Sequence, residues 1–306
     1  MKGPAMLMVC ALIWGSAFVA QSKGMDYMGP CTFNAVRNFI GSIALLPVIF
    51  FASRLKGRTG EAPAEVQSEK GGKLLWGGGL LCGVFLCVGS LFQQFGIQYT
   101  SVGKAGFLTA LYIVIVPVLG IFLGRKPAAK IWLSVVIALG GTYLLSVTED
   151  FSIATGDLMV IFSAVFFSLH IMLVDRVSPH VDGVRLSCIQ FFVSGVISLV
   201  LALFFEEPRV GDIAAAWIPL LYTGLLSSGV GYTLQILGQR NTNPTVAAII
   251  LSLESVFAAV AGWLLLGPEG ALSAKEIAGC ALVFAAVVLA QLPARRKAAR
   301  AGDTAL

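Results

Sequence analysis

Charge is scarce in this sequence. Only 12% of its 306 residues are Asp, Glu, Lys or Arg, about half the usual share of a soluble domain, while 57% are hydrophobic. Histidine occurs twice, and none of the six cysteines forms a CxxC pair or clusters with a histidine. These shortages argue against a soluble domain, a metal centre and a disulfide framework. The chain is therefore predicted to be a membrane protein that crosses the bilayer many times.

Enzyme signatures are missing as well. The sequence contains no phosphate-cradling G-x-x-x-x-G-K-[ST] loop, no HExxH motif and no serine elbow. No catalytic residue and no cofactor is therefore predicted. An intramembrane enzyme acting on a lipid-linked substrate stays open as the alternative function. Its only conceivable acid–base pair is Glu254 with His170, and nothing in the sequence brings these two together.

Long apolar runs are what the sequence has in abundance. Ten of them, each about 17–25 residues after trimming, have the length of a transmembrane helix. None alternates as the strands of a membrane barrel do. The runs are Gly3–Ser22, Cys31–Ser53, Leu74–Gly103, Ala105–Gly124, Ile131–Thr148, Leu158–Val174, Leu186–Phe205, Ile213–Gln239, Val246–Leu266 and Ile277–Leu292. The sequence thus predicts an all-α membrane protein with ten transmembrane helices.

The positive charges orient these helices. With ten spans and a cytoplasmic N-terminus, sixteen Lys and Arg residues fall on the cytoplasmic side and four on the other, which is the asymmetry that the positive-inside rule requires. Both termini are therefore predicted to be cytoplasmic, in the cell (inner or plasma) membrane. Residues 54–73 are predicted to be a flexible cytoplasmic loop, and residues 294–306 a basic cytoplasmic tail.

The two halves of the chain resemble each other. A 25-residue stretch from Gly96 aligns without gaps on the stretch from Gly238, which pairs Tyr112 with Glu254. Upstream, the alignment pairs Phe39 with Phe192 and Arg37 with Gln190.

Each half holds five predicted helices, an odd number, so the second half would be inverted in the membrane relative to the first. The predicted domains are residues 1–150 and residues 151–293. Inverted repeats are typical of secondary transporters, whose substrate site lies near the midplane between the halves.

Several motifs resemble a known family. Trp14-Gly15-Ser16, Phe33–Arg37, Leu253–Ala259 and Gly262–Gly267 are similar to those of the EamA-type transporters, in the drug/metabolite transporter superfamily. The resemblance implies ten helices in two inverted five-helix repeats. It also implies the movement of small metabolites, often amino acids or related compounds, commonly outward.

The chain departs from the family pattern at two places. Ser255 stands where the family usually has proline, after the motif glutamate. The glutamate usually found after each repeat's LLLG is displaced to Glu269, and Arg125-Lys126 stands there in the first half. No role of the family's loop glutamates is therefore carried over to this chain.

Charged residues inside apolar runs are the first candidates for a site. Glu254 is the only charge in Val246–Leu266, a run that Asn243 would cap and Pro244 would begin. A buried carboxylate there could line a substrate or proton path, or could be a structural group held by a neighbouring helix. Arg37 could bind a substrate carboxylate, or could hold two helices together.

Polar and aromatic side chains within the spans complete the candidates. Trp14 lies in mid-span and needs a partner or a cavity for its N–H, and Tyr112 is included through its pairing with Glu254. Gln94 and Gln235, with Gln98 and Gln239 one turn later, could face a wet cavity or join helices. Gln190 takes the place of Arg37 in the second half, and His170 could relay protons or could only pack.

These observations predict a secondary transporter of a small metabolite that works by alternating access. The predicted partners are a small-molecule substrate and the lipid bilayer, with no nucleic acid; a homodimer stays open. Glu254 could couple transport to protons, with His170 as a second candidate, or the transport could be uncoupled facilitated diffusion. The substrate-binding candidates are Trp14, Arg37, Gln94, Tyr112, Gln190, Gln235 and Glu254.

Overall fold

The described part of the chain consists mostly of helices. The computed structural model describes residues 2–59, 69–100, 102–146, 154–266 and 273–292. No strand occurs among these residues, which confirms the all-helical class. The helices are α1 (Lys2–Gly24), α2 (Pro30–Thr59), α3 (Glu69–Ile97), α4 (Val102–Thr109), α5 (Tyr112–Phe122), α6 (Ala129–Ser146), α7 (Thr155–Val177), α8 (Gly183–Phe205), α9 (Val210–Ala215), α10 (Trp217–Leu221), α11 (Thr233–Gln239), α12 (Pro244–Leu251), α13 (Leu253–Leu266) and α14 (Ala274–Gln291). A π-helical segment, Tyr222–Tyr232, joins α10 to α11.

Eight helical stretches of the described chain are long and apolar enough to cross a membrane. Two of them, Val102–Phe122 and Pro244–Leu264, each combine two consecutive helices. A further apolar helix, Ala129–Leu145, is shorter. The predicted span Ile213–Gln239 runs from the end of α9 through α10 and the π segment to the end of α11. A multi-pass membrane protein is thus confirmed, whereas the count of ten spans stays a prediction.

Two predicted spans are interrupted rather than continuous. The first breaks at Ala110 and Leu111 between α4 and α5, and the second breaks at Ser252 between α12 and α13. At these breaks the Leu111 N–H donates to the Leu108 carbonyl and the Ser255 N–H to the Ser252 carbonyl, each three residues back. These tighter turns replace the regular α-helical hydrogen bonds, which join residues four apart. The stretch predicted from Val246 to Leu266 is thus present as one membrane-crossing span, built from α12 and α13 rather than from one unbroken helix.

The predicted start of that span is correct. Asn243 caps α12, because its side-chain oxygen accepts a hydrogen bond from the Thr245 N–H at 3.0 Å. Pro244 occupies the first helical position, where its missing N–H costs no hydrogen bond.

The helices pack in long pairs. α2 lies along α8, α6 along α14, and α3 against both α7 and α8, while α1 contacts α13 and the π segment. The breaks between α4 and α5 and between α12 and α13 face each other, since α5 packs on α12 and α4 on α13. Large apolar side chains cover the outside of the bundle, among them Phe204 and Phe205, which are 79% and 78% exposed. Such a surface suits hydrocarbon rather than water.

Parts of the predicted loops are helical or lie outside the described residues. The loop predicted at residues 54–73 is shorter, because α2 continues to Thr59 and α3 begins at Glu69; residues 60–68 are outside the described chain. Glu269 and the tail at residues 294–306 are also outside it.

Candidate functional site

A narrow cavity lies inside the bundle and draws its walls from both halves of the chain. Its volume for water is ≈ 30 Å³, room for about two molecules, because one water needs about 10–15 Å³. The lining residues are Trp14, Phe18, Gln21, Arg37, Gln93, Thr109, Tyr112, Phe167, His170, Ile171, Ser227, Tyr232, Gln235 and Glu254. The cavity therefore combines one cation, one carboxylate, several amides and an aromatic wall.

Glu254 and Tyr112 meet at this cavity. Tyr112 Oη donates a hydrogen bond to Glu254 Oε1 at 2.8 Å, and the two side chains are 2% and 3% exposed. No cationic group of the described residues lies within ion-pair distance of Glu254. The tyrosine hydroxyl thus satisfies one oxygen of this buried acid, which has no cationic partner in the part of the chain that the structure describes.

The helix breaks explain why these two residues meet. Tyr112 is the first residue of α5 and Glu254 the second of α13, so each follows an interruption. A carboxylate in the first turn of a helix is stabilised by the positive end of the helix dipole. Gly15 of α1 lies against the same turn, where a Cβ atom would be 2.5 Å from the Glu254 carbonyl oxygen. The backbone around Glu254 is therefore closely packed.

Arg37 carries the positive charge of the cavity. It is 4% exposed, its Nε donates to Asn34 Oδ1 at 3.0 Å and its Nη1 to Gln21 Oε1 at 3.0 Å. Its guanidinium lies 6.0 Å from the centre of the Phe33 ring. Within the described chain no carboxylate pairs with it. Two amide oxygens therefore position the guanidinium and leave part of its five-donor capacity unused.

Trp14 forms an aromatic wall with Tyr232. The two ring centres are 4.4 Å apart, and Trp14 Nε1 donates to the Ser227 carbonyl oxygen at 3.3 Å. Ser227 and Tyr232 belong to the π segment. In a π-helix each backbone hydrogen bond joins residues five apart instead of four, and such segments are frequent at functional sites. The partner that the mid-span indole requires is thus a backbone carbonyl.

His170 and Gln190 form a second buried pair beside the cavity. His170 Nε2 lies 2.9 Å from Gln190 Oε1, and the His170 ring packs edge-on against Tyr232 at 6.0 Å. His170 lines the cavity, whereas Gln190 does not. The structure thus brings His170 and Glu254 to one cavity, a proximity that the sequence could not establish.

The predicted glutamines divide into different roles. Gln235 lines the cavity, and its Oε1 has no hydrogen-bond partner among the described residues. Gln94 lies behind the wall and donates from Nε2 to the Gln21 carbonyl at 3.2 Å. Gln239 joins helices by donating to the Ile171 carbonyl at 3.1 Å, and Gln98 is exposed. The i, i+4 spacing therefore did not predict which amides face the cavity.

Sequence reasoning missed half of the polar lining. Gln21, Gln93, Thr109, Ser227 and Tyr232 also line the cavity, and Gln93 Nε2 donates to Thr109 Oγ1 at 3.0 Å. The signal that could have identified Tyr232 is a polar aromatic residue in the middle of a predicted span. Among the described residues, no three His, Cys, Asp or Glu side chains are grouped to hold a metal ion.

Comparison with known proteins relates the whole chain to one family. The profile of the EamA-like transporter family matches residues 1–147 and 154–292. An uncharacterized transporter of Archaeoglobus fulgidus is 30% identical over 289 residues, which cover 94% of this chain and 84% of the relative. The uncharacterized transporter YoaV of Bacillus subtilis is 25% identical over 260 residues, or 83% of this chain and 85% of YoaV.

A solved structure shares the fold. This crystal structure of a protein superposes with a TM-score of 0.71 and covers 94% of this chain and 96% of its own. The sequence identity of this pair is 17%, so the likeness concerns the helical architecture alone.

Proposed function

The chain belongs to the EamA-like transporter family, and from this membership we propose that it exports an amino acid or a related small compound across the cytoplasmic membrane by alternating access. The family and the named relatives are transporters and not enzymes, so transport replaces the enzyme alternative. The observation that carries the proposed substrate class is the central cavity, where Arg37 and Glu254 both lack an ionic partner within the described chain.

The chemistry of the cavity suits a zwitterion. The Arg37 guanidinium has the planar donor geometry that recognises a carboxylate, and the Glu254 carboxylate could accept from an ammonium group. Burial strengthens both interactions, because the cavity is small and the bundle around it is apolar. A ligand with both charges would neutralise both side chains without leaving either unpaired.

The proposed architecture is ten helices in two inverted repeats, and pairs of equivalent contacts support it. A Cβ atom at Gly83 would lie 2.8 Å from the Gln190 carbonyl oxygen, and one at Gly224 would lie 3.1 Å from that of Arg37. Gly83 lies in α3, whereas Gly224 lies in the π segment. Both contacts join one half to the other. Because Arg37 and Gln190 are paired by the sequence alignment, each contact has the form expected of the other when the two halves are exchanged, which supports the repeat.

Contacts between aligned residues provide further support. The Phe39 and Phe192 rings are 6.3 Å apart, and Tyr112 bonds to Glu254. In a two-fold arrangement, a residue meets its own equivalent only near the axis. Such an axis would relate the two interrupted helices, whose broken backbones are typical of transporter binding sites.

The size of the cavity supports alternating access. A space for about two waters admits no amino acid, so one half would have to move relative to the other before a substrate could bind. Two ion pairs join the α4–α5 stretch of the first half to α7 of the second half, one at each end of α7. Lys104 Nζ lies 2.5 Å from Asp157 Oδ2 at one end, and Arg125 Nη2 lies 2.5 Å from Asp175 Oδ2 at the other. Breaking one pair at a time would open one side.

Proton coupling through Glu254 is part of the proposal, with uncoupled diffusion as the competing mechanism. A buried acid with no cationic partner can bind a proton or a substrate ammonium, and these two events would exclude each other. His170 stays a second candidate because it lines the same cavity. The proposed orientation has both termini in the cytoplasm, as the distribution of Lys and Arg predicts. A homodimer stays a prediction that cross-linking in native membranes tests.

Flux measurements with purified protein in proteoliposomes test the proposed function. Labelled amino acids, their decarboxylated amines and small organic cations are compared with and without a pH gradient. Saturable movement of amino acids is expected, and unlabelled amino acids should inhibit it more strongly than the amines do. Movement of the amines alone would contradict the zwitterion assignment, and flux that ignores the pH gradient would favour uncoupled diffusion.

A further inference from the structure

A second cavity lies at one end of the bundle and shares no lining residue with the central cavity. Its volume of ≈ 280 Å³ is far larger than the roughly 10–15 Å³ that one water needs. Arg125, Lys126 and Lys130 line it, and none of its described lining residues is acidic. Three cations around one cavity indicate a site for an anion.

The three cationic side chains differ in their hydrogen-bond and ion-pair partners. Arg125 pairs with Asp175 at 2.5 Å, and Lys130 Nζ donates to the Leu292 carbonyl. Lys126 is exposed and has no hydrogen-bond or ion-pair partner among the described residues. Asp175 offsets one of the three charges, so the described residues of the cavity keep a net positive charge of two.

The remaining wall combines a polar rim with an apolar floor. Asn243 lies at the rim, where α12 begins, and α6 begins nearby at Ala129. The floor is formed by side chains such as Ile131, Val246 and Ala290. A ligand that carries both an anionic group and hydrocarbon would therefore match the whole cavity better than a small hydrated anion.

We propose that this cavity binds a phosphate group, and that the group belongs to an anionic phospholipid of the inner leaflet. In the proposed orientation this end of the bundle faces the cytoplasm, where basic pockets between transmembrane helices hold anionic headgroups. The cavity joins the connection between α5 and α6 with the start of α12 and the end of α14. A bound headgroup would contact all of these elements. It would also affect α7, because Arg125 pairs with Asp175 of that helix.

Lipid retention tests the proposal. Purified protein is exchanged into nanodiscs with equal amounts of phosphatidylglycerol and phosphatidylcholine, and the lipids that stay bound are counted by native mass spectrometry. Wild-type protein is expected to retain phosphatidylglycerol in preference. A variant with Lys126→Gln and Lys130→Gln should lose about fivefold in affinity for each lysine removed. The control combines Lys23→Gln with Lys275→Gln, which changes the net charge equally at positions outside the cavity.

A second measurement separates the two sources of phosphate. Thermal unfolding in neutral detergent is followed with added inorganic phosphate and, separately, with added phosphatidylglycerol. Stabilisation by phosphatidylglycerol only, lost in the Lys126/Lys130 variant, supports the lipid. Stabilisation by inorganic phosphate, lost in the same variant, supports a phosphate site and overturns the lipid assignment. Equal lipid retention by wild type, variant and control overturns the site, and neither readout depends on transport.

Discussion

Tyr112 donates a hydrogen bond of 2.8 Å to Glu254, and these two residues occupy the same position in the two aligned halves of the chain. Each follows a break in its helix. The same backbone feature thus presents a hydroxyl donor from one half and a carboxylate acceptor from the other. The two aligned positions therefore hold complementary partners, which gives the central cavity a chemical asymmetry.

Tyr112→Phe should lower stability. The substitution leaves a buried carboxylate oxygen of Glu254 without its partner, at a cost of about 1–3 kcal/mol. Thermal unfolding in detergent measures the loss as a lower melting temperature. Tyr99→Phe is the matched control, because Tyr99 is 66% exposed. In a Glu254→Gln background the effect of Tyr112→Phe should shrink, since the charged acceptor is already gone; equal effects in both backgrounds would contradict the pairing.

Glu254→Gln should abolish the response of transport to a pH gradient. Glutamine keeps the shape and one acceptor oxygen but cannot bind and release a proton at any ordinary pH. Flux into proteoliposomes is measured with and without an imposed gradient, beside Glu207→Gln, which removes a carboxylate that is 86% exposed. A Glu254→Gln protein with unchanged flux and unchanged pH response would eliminate proton coupling through this residue.

Arg37→Gln should weaken the binding of substrates that carry a carboxylate. A charge-assisted hydrogen bond contributes about 1.5–3 kcal/mol, so the apparent affinity for an amino acid should fall about 10- to 150-fold. Arg209→Gln, which removes an arginine that is 71% exposed, is the charge-matched control. Competition by the decarboxylated amine should be unaffected in both variants. An equal loss for amino acid and amine would indicate that Arg37 only holds helices together.

Gly83→Val should disrupt the contact between α3 and α8. A side chain there meets the Gln190 carbonyl at 2.8 Å and Val193 at 2.7 Å, and overpacking of this kind costs about 1–3 kcal/mol or more. Gly77→Val in the same helix is the control, because nothing lies within 4 Å of its added Cβ. Melting temperature and yield of folded protein in detergent compare the two variants. If they behaved alike, the close packing at Gly83 would be refuted.

Several features of the site were predictable because they depend on the chemistry of single residues. A charged side chain in an apolar span must face the interior of the helix bundle rather than lipid, so Glu254 and Arg37 could be identified as cavity residues. Trp14 could be identified because its N–H needs a partner in mid-span. The repeat alignment added Tyr112, a residue that its own surroundings in the sequence would not have selected.

Other features could not be predicted, because they depend on which face of each helix meets a neighbour. Gln94 and Gln235 have similar surroundings in the sequence, yet only Gln235 lines the cavity. The break at Ser252 was hidden for a related reason. Nothing in its apolar neighbours forbids a continuous helix, and no glycine or proline lies between Thr245 and Ala261 to mark an interruption.

By itself, the sequence determined that this chain is an all-helical membrane protein. Its apolar runs are long enough to cross a bilayer, and a helix satisfies the backbone hydrogen bonds of such a run inside lipid. It also determined the family, through motifs spread over both halves. Only the tertiary structure decided that Tyr112 meets Glu254, that His170 shares their cavity and that Arg37 has amide partners instead of an acid. Those relations depend on distances between helices, and the composition of a single helix does not contain them.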